Sequence, residues 1–336
     1  MSQTKAQLIS GTSSQSVTFN DATVSSLNGG ALSGARNRII NGDMRIDQRN
    51  AGASVTPSGS GSGDFTLDRW VYQSDLTGKF AVQRSTIAPA GFTNSLLATS
   101  QSAYSVISTS RYIVGQRIEG FNTADLDWGT ANAKTIIVSF WVRSSLTGTF
   151  GGVIFNDGGT RNYGFTYSIS SANTWEYKTV TIPGDTSGTW NTSNSTGIQV
   201  SFSLGVGSSN SAAAGSWGTA NIYGVNGQVN VVGTNGATFY ITGVQLEAGS
   251  VATPFERRSY GQELALCQRY FVSASINVSP SAWNATPYYF PVTMRATPTV
   301  TGTGAGYTVS GSATNSGIYH YQNSFGISTV NAAIEL

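Results

Sequence analysis

The sequence has few of the residues on which most catalytic and disulfide-stabilised proteins depend. Among its 336 residues there is one cysteine, Cys267, and one histidine, His320. A single cysteine excludes an intrachain disulfide and a cysteine-based zinc site, and a Ser-His-Asp triad would have only one possible base. No G-x-S-x-G motif precedes a helical pattern. We therefore expect Cys267 to be a small buried residue and His320 to be a turn or strand residue.

Charge and long apolar runs are also scarce. Charged residues make up 10% of the chain, against roughly 25% in ordinary soluble domains, and the net charge is +2. This balance gives no electrostatic footprint for nucleic acid. No run approaches the ~20 apolar residues of a membrane span, and residues 1–20 lack the apolar segment of a signal peptide. We expect a protein made in the cytoplasm, with no membrane insertion and no nucleic acid partner.

The acidic residues are too few and too scattered to indicate an enzyme. There are 16 of them, and hydrolysis of a glycosidic bond uses two carboxyl groups about 5–9 Å apart. The densest set, Glu119, Asp125 and Asp127, is typical of a solvated loop or a weak cation site, because the distal Glu of a calcium loop is missing. We therefore predict no catalytic residue, no metal and no cofactor.

Glycine and small polar residues are abundant, and aromatic residues are numerous enough for a core. The chain has 40 glycines, and its aromatic content is 11%. Between 65 and 258, short segments alternate or run apolar and are separated by Gly, Asn, Asp, Ser and Pro. This predicts an all-β fold, an antiparallel jelly-roll sandwich in which Ile136–Val142 lies in a central strand. The predicted strands lie at 65–73, 79–85, 111–121, 134–145, 150–157, 163–170, 175–183, 197–207 and in the first half of 237–258.

The stretch 237–258 contains the most specific local signals. Its residues alternate between two faces, change phase once at Gly243, and then alternate again, which predicts a strand with a glycine bulge. Pro254 ends the strand. Ser259 and Gln262 have the spacing of a capping box, and an apolar stripe follows, which predicts one short helix over 259–271. The members of the stripe are Tyr260, Leu264, Cys267 and Phe271.

These signals divide the chain into five parts. Residues 1–35 are too poor in apolar residues to fold alone, and we expect an extended N-terminal arm that orders against another surface. An entry segment and loop follow at 36–64, with four arginines that we expect to form structural ion pairs. The sandwich occupies 65–258 and the short helix 259–271. The tail, 272–336, is again strand-like and is either a small β appendage or a source of further strands for the main sheets.

Aromatic residues in predicted loops are the main functional indication. Trp190 and Asn191 lie in one loop, and Trp217 and Tyr223 lie in another, among Ser, Thr and Asn and without Lys. Indole and phenol faces stack on sugar rings, while amides and hydroxyls bond sugar hydroxyls. These four residues are therefore a candidate surface for a neutral glycan. The alternative for any single tryptophan is that it closes one end of the sandwich core.

Several blocks of the chain resemble a family of phage tail-fibre and tail proteins. They are NRIINGDMRIDQRNAG at 37–52, LDRW at 67–70, FYITGVQLEAGSVATPFERRSYGQELALCQRYF at 239–271 and FPVTMRATPTV at 290–300. The central region, through KTIIVSFWVRSS and ATFYITGVQLE, also resembles the galactose-binding-like jelly rolls of carbohydrate-binding modules.

The resemblance implies a virion protein of the tail that attaches to a host-surface glycan without catalysis. It also implies a homotrimer, with residues 1–35 docking the fibre to a tail or baseplate protein. It transfers no binding residue, because the matching blocks are scaffold. A purely structural virion protein, such as a head fibre or decoration, is the alternative, and a glycan depolymerase is a further one.

Overall fold

Strands make up most of the secondary structure of the protein. The computed structural model describes residues 35–59, 63–278, 286–303, 308–310, 313–321 and 326–336. The predicted arm therefore lies outside the described residues except for Ala35. No helix in the described part of the chain is long and apolar enough to cross a membrane.

Most of the predicted strands are present near their expected bounds, but the strand Ser95–Ser100 was not predicted. In chain order the strands are β1 Asp64–Phe65, β2 Val71–Ser74, β3 Phe80–Ser85, β4 Ser95–Ser100, β5 Arg111–Glu119, β6 Ile136–Ser144, β7 Gly148–Phe155, β8 Asn162–Ile169, β9 Glu176–Ile182, β10 Thr196–Val206, β11 Ser211–Ala212, β12 Trp217–Gly218, β13 Gly224–Val225, β14 Thr238–Ala248, β15 Phe271–Val278, β16 Thr286–Tyr289, β17 Thr299–Thr303, β18 Thr308–Ser310, β19 Gly317–Tyr321 and β20 Gly326–Ala333. The helix, α1, spans Tyr260–Gln268.

Two antiparallel sheets face each other across one apolar core. One has the order β1-β2-β5-β10-β7-β8-β12 and the other the order β3-β4-β14-β6-β9. Alternate residues of each strand enter the core, for example Phe140 and Val142 of β6 and Phe202 of β10. The predicted all-β jelly-roll class is thus confirmed, and Ile136–Val142 lies in a strand with neighbours on both sides.

One predicted strand is wrong in extent. The segment 65–73 is not continuous, because residues 66–70 form a turn between β1 and β2. Arg69 takes a left-handed backbone conformation with φ 71°. The Asp68 carboxylate accepts hydrogen bonds of 2.7 Å from both the main-chain and the side-chain nitrogen of Gln48. These contacts with a distant segment hold the turn, and they are not visible in local alternation.

The predicted helix is confirmed in place and cap but is shorter than expected. The main-chain nitrogen of Gln262 donates to Ser259 Oγ and that of Ser259 donates to Gln262 Oε1, which completes the capping box. Cys267 is fully buried, as expected, and burial raises the pKa of its thiol. Phe271 belongs to β15, and Tyr260 is 56% exposed. The buried apolar stripe of the helix therefore lacks the first and the last of its predicted members.

The predicted glycine bulge lies at the centre of β14. Thr242 pairs with Trp141, but Gln245 pairs with Ser139, so Gly243 and Val244 together oppose one residue of β6. Before the bulge β14 pairs with β4. After it, the entry segment takes that place: Val244 N donates to Gly42 O at 3.0 Å, and Arg38 N donates to Leu246 O at 3.0 Å.

Three of the four arginines of the entry segment form the ion pairs expected from the sequence. Arg38 pairs with Asp125 at 2.7 Å, Arg45 pairs with Asp43 at 2.5 Å, and Arg49 pairs with Glu335. The last of these pairs joins the entry segment to the end of the described chain.

The tail has its own sheets and its own apolar cluster within the described ranges. β15, β20 and β17 form one three-stranded sheet, and β16, β19 and β18 form another. Phe290, Met294, Ile318 and Val330 are among the buried residues of the cluster. Besides the Glu335 pairs, Arg295 and Asn194 join the tail to the sandwich, with Asn194 Nδ2 donating to Arg295 O at 2.6 Å. His320 lies in β19.

We predict that Gly243→Ala destabilises the fold by about 2–4 kcal/mol. Gly243 has φ 61°, and an added Cβ would lie 2.7 Å from the Phe92 ring and 3.3 Å from Trp141. Gly236→Ala is the matched control, because Gly236 has φ 75° but nothing within 4 Å of the added atom. The control should lose only about 1 kcal/mol, from backbone strain. Urea unfolding of both variants measures the difference, and equal losses would contradict the prediction.

Candidate functional site

The structure brings three of the four sequence-predicted site residues together, and the fourth contacts different residues. Trp190 and Trp217 meet with ring centroids 5.6 Å apart, and Asn191 adjoins Trp190. Tyr223 instead contacts Phe155 and lies beneath the guanidinium of Arg111. The two loops therefore do not present their aromatic residues as a single surface.

Trp190 and Trp217 belong to a cluster with a third tryptophan, Trp128. The Trp128 ring lies 4.6 Å from that of Trp190 and 5.3 Å from that of Trp217, with all three pairs edge-to-face. Trp190 is only 9% exposed and belongs to the main core, and Trp217 packs against that core from a half-buried position. We call Trp128, Trp190 and Trp217 the tryptophan cluster.

Each indole N–H of the tryptophan cluster has a protein acceptor. Trp190 Nε1 donates to Asp185 Oδ2 at 3.2 Å, and Trp217 Nε1 donates to Pro183 O at 2.9 Å. Asp185 is also paired with Arg161 through two bonds of 2.7 and 2.6 Å, and this hydrogen bonding raises the pKa of Arg161. With rings packed and donors paired, Trp190 fits the expected alternative, a residue that closes the core.

A small pocket beside the cluster contains Asn191. Its volume is about 160 Å³, and its lining includes Trp128, Trp190 and Asp127. Asn191 Oδ1 accepts bonds from both the nitrogen and the hydroxyl of Ser193, at 2.7 and 2.8 Å. The role of these residues in glycan binding stays a prediction.

Tyr223 lines a larger depression over the seven-stranded sheet, which we call the sheet cleft. It has a volume of about 350 Å³. Its lining consists of Gln73, Arg117, Phe155, Asn156, Asp157, Gly158, Gly159, Thr196, Gln199, Asn221, Tyr223 and Leu336. Amides, hydroxyls and one guanidinium dominate this lining, with Phe155 and Tyr223 as its aromatic members.

The floor of the sheet cleft comes from strand positions that face away from the core. Arg117 of β5 lies directly opposite Gln199 of β10, and its Nε donates to Gln199 Oε1 at 3.1 Å. Gln199 Nε2 in turn donates to Ser201 Oγ at 3.1 Å. This chain of bonds orients both side chains before any ligand arrives, which lowers the entropic cost of binding.

Cationic and anionic groups both reach the sheet cleft. Burial lowers the pKa of Arg117, and so does neighbouring Arg69, while Asp157 and Glu335 act in the opposite direction. The guanidinium is still charged near neutral pH, since arginine titrates far above it. Arg117 Nη1 also donates to the main-chain oxygen of Leu336. Such a lining offers donors and acceptors for hydroxyl-rich ligands.

Asn156 fixes the turn that forms one wall of the sheet cleft. Its Oδ1 accepts from the Arg161 nitrogen at 2.8 Å, and its Nδ2 donates to Thr160 Oγ1 and Thr189 O, both at 2.9 Å. The other wall includes Asn221 and Tyr223, which precede the short strand β13. Ile222, between them, packs on Phe155 and anchors this wall to the sheet.

The acidic set predicted to be a solvated loop is partly buried. Glu119 is 2% exposed and accepts from Arg269 at 2.7 Å and from the Tyr270 hydroxyl at 2.8 Å. Burial opposes ionisation of Glu119, but the bonds from Arg269 and Tyr270 outweigh it and lower the pKa. The solvated-loop interpretation was therefore wrong for Glu119, because its partners lie about 150 residues away in sequence. Among the described residues, no group of three or more His, Cys, Asp and Glu is placed to hold a metal ion.

Sequence reasoning missed Trp128, Arg117 and Gln199. Trp128 lies in the acid-bearing segment, directly after Asp127. Arg117 and Gln199 are polar residues at outward positions of apolar strands, and this period-two signal is readable in each segment alone. Their juxtaposition is not readable, because it depends on β5 and β10 being neighbours.

Comparison with known proteins gives likenesses of fold. No family model matches the sequence, and no curated protein matches it. The enzymatically active domain of tailspike protein 4 of bacteriophage CBA120 aligns at 12% identity and a TM-score of 0.33, over 63% of this chain and 21% of that one. A family 11 carbohydrate-binding module from Clostridium thermocellum, in complex with a mixed-linked tetrasaccharide, aligns at 13% identity and a TM-score of 0.29. The alignment covers 61% of this chain and 100% of that one. A xylan-binding domain from Paenibacillus barcinonensis aligns at 10% identity and a TM-score of 0.27. The alignment covers 61% of this chain and 99% of that one. None of these alignments identifies what this chain binds.

We predict that Trp190→Ala lowers the free energy of unfolding by about 3–5 kcal/mol, since it removes a buried ring from the core. Tyr260→Ala, at an exposed position of α1, should change it by less than about 0.5 kcal/mol. Urea unfolding followed by circular dichroism checks both values. A Trp190→Ala protein as stable as the Tyr260→Ala control would show that the tryptophan cluster is not part of the stabilising core.

Proposed function

We propose that this protein is a phage tail-fibre component that attaches to a host-surface glycan and binds it in the sheet cleft without cleaving it. The observation that carries the proposal is the cleft itself, a preorganised polar surface on one face of a jelly-roll sheet with Tyr223 at its wall. The sequence resemblance of the blocks 37–52, 239–271 and 290–300 to tail-fibre proteins supports the virion role.

The chemistry of the sheet cleft suits a glycan. Gln199, Asn221 and Thr196 provide amide and hydroxyl groups that both donate and accept hydrogen bonds, as sugar hydroxyls do. Tyr223 offers an aromatic ring at the wall, next to Phe155. A pocket with a few convergent polar groups and an aromatic wall is a common form of ligand site.

We propose binding without catalysis because the described lining of the sheet cleft does not contain a pair of acidic side chains. Glycoside hydrolases of the usual kind use a pair of carboxyl groups across the scissile bond. Within the described lining of the sheet cleft, Asp157 is the one acidic side chain. We therefore assign the cleft to binding.

The test is glycan-array screening of the full chain, followed by titration calorimetry with the best-bound oligosaccharide. We expect Tyr223→Ala to weaken binding by about 10-fold, because it removes the aromatic wall. Tyr260→Ala removes a tyrosine from the exposed face of α1 and should bind as the unmodified protein does. We also expect no release of reducing ends from the bound glycan.

Three results would contradict the proposal. An array without binding would favour a purely structural virion protein. Unchanged affinity of Tyr223→Ala would remove the sheet cleft as the site. Release of reducing ends would replace attachment with depolymerisation.

We extend the proposal to assembly, with a homotrimer whose residues 1–35 dock to a tail or baseplate protein. The arm has sparse apolar residues, a pattern suited to strand addition on a neighbouring edge. Three copies of one glycan site raise avidity, which can exceed the single-site affinity by about 10²-fold.

Removal of residues 1–35 should leave a folded, glycan-binding protein that no longer enters virus particles. The measurement is particle incorporation of the shortened chain, with the full chain as control and circular dichroism as a check of folding. Light scattering of the full chain should give the mass of three protomers. A full chain that is monomeric, or a shortened chain that still assembles, would refute this part.

A further inference from the structure

The outer face of the five-stranded sheet contains a further depression, with four aromatic residues in its lining. We call it the aromatic groove and define it by Phe92, Trp141, Tyr177, Phe255 and Arg257. Its volume is about 510 Å³. It lies on the sheet opposite the one that forms the sheet cleft, so it is a separate surface from the proposed attachment site.

Two rings on neighbouring strands form one end of the aromatic groove. Trp141 of β6 pairs with Tyr177 of β9, and their ring centroids lie 5.4 Å apart at an angle of 49°. Phe140 and Val142 point into the core, so Trp141 between them points outward. Tyr177 is 44% exposed, so its ring is accessible to a ligand.

The Gly243 bulge connects this end of the aromatic groove to the other. An added Cβ at Gly243 would lie 2.7 Å from the Phe92 ring and 3.3 Å from Trp141. The two rings therefore approach across a position that has no side chain. The Phe92 ring packs against the Phe255 ring, with centroids 5.3 Å apart. The two ring pairs, Trp141 with Tyr177 and Phe92 with Phe255, therefore line one depression on either side of Gly243.

The guanidinium group of Arg257 lies at the second end of the aromatic groove. The Arg257 guanidinium lies 4.7 Å from the centroid of the Phe92 ring and 5.7 Å from that of Phe255. Arg257 Nη2 donates to Gly91 O, which fixes the plane of the group. Among the described residues no carboxylate forms an ion pair with Arg257. A guanidinium held in place by rings and lacking an acidic partner is prepared for an external anion.

An acidic residue of the strand beside the groove, Glu247 of β14, is already engaged inside the protein. Glu247 is 1% exposed and accepts from Thr253 N and Thr253 Oγ1, both at 2.8 Å, and from Gln245 Nε2 at 2.9 Å. Thr253 covers it from the groove side, since Thr253 lines the groove and Glu247 does not. Arg257 is thus the one charged side chain in the described lining.

We propose that the aromatic groove binds a carboxylated sugar, such as a uronate residue of an acidic polysaccharide. One sugar ring stacks on Trp141 and Tyr177, and a carboxylate of the glycan pairs with Arg257. Charge complementarity selects an anionic ligand, and the exposed rings select one with flat apolar faces. The proposal does not depend on the sheet cleft, which has different residues on the other sheet.

The test is calorimetric titration of the full chain with oligomers of galacturonate, oligomers of guluronate and fragments of hyaluronan, each beside its carboxyl-reduced counterpart. We expect binding of at least one uronate oligomer. Trp141→Ala should weaken it by about 10-fold or more. Arg257→Gln should weaken the uronate by about 10-fold and leave the carboxyl-reduced oligomer unchanged, because only the anion uses the guanidinium.

One matched control lies in β6 and the other directly before β9. Arg143→Gln makes the same charge change at an arginine that stacks on another ring, that of Tyr240 at 4.9 Å. Trp175→Ala removes a half-buried tryptophan that packs on Tyr240 and lies outside the groove. Both controls should bind uronate as the unmodified protein does. Tyr223→Ala should also leave uronate binding intact, so failure of this proposal is distinguishable from failure of the proposed attachment site.

Four outcomes would overturn the proposal. The first is that none of the three uronate oligomers binds. The second is that Trp141→Ala binds normally, and the third is that Arg143→Gln loses as much affinity as Arg257→Gln. The fourth is that Trp141→Ala changes the mass measured by light scattering while uronates do not bind, since a second copy or the arm would then be the occupant of the groove.

Discussion

The break in β14 at Gly243 is the constraint on which much of the sandwich depends. Before it, β14 bonds to β4, and after it the entry segment around Gly42 takes the place of β4. The residue that allows this exchange has a left-handed backbone and no side chain. The same missing side chain lets Phe92 and Trp141 approach each other. One local feature therefore attaches the entry segment on one side and shapes the aromatic groove on the other.

Buried ionic contacts join segments that are distant in sequence. Glu335 pairs with Arg49 and Arg69, and Arg69 lies over the Tyr270 ring with its carbon 3.6 Å from the centroid. Breaking one member of such a group leaves a buried charge without a partner, which is costly. These pairs connect the entry segment, the turn before β2 and the end of the tail. They hold Leu336 at the sheet cleft, where its main-chain oxygen meets Arg117.

The two outer sheet faces differ in chemistry in a way that suits different ligands. The sheet cleft has an amide-rich floor, fixed by the bond from Arg117 to Gln199, and both cationic and anionic groups reach it. The aromatic groove has rings and one cation, Arg257, with no acidic side chain in its described lining. Taken together, the two proposals predict that one heteropolysaccharide contacts both faces, through its neutral and its acidic residues. Simultaneous contacts of this kind raise overall affinity without any new strong interaction.

The sequence by itself determined the features that depend on neighbours along the chain. Alternation gave the strands and the all-β class, the phase change located the bulge at Gly243, and Ser259 with Gln262 predicted the helix cap. Tertiary structure alone decided which distant residues meet. It placed Trp128 against Trp190 and separated Tyr223 from both. Period-two patterns state which face a residue occupies but not which strand lies beside it, so the sites became visible only once the strand order was known.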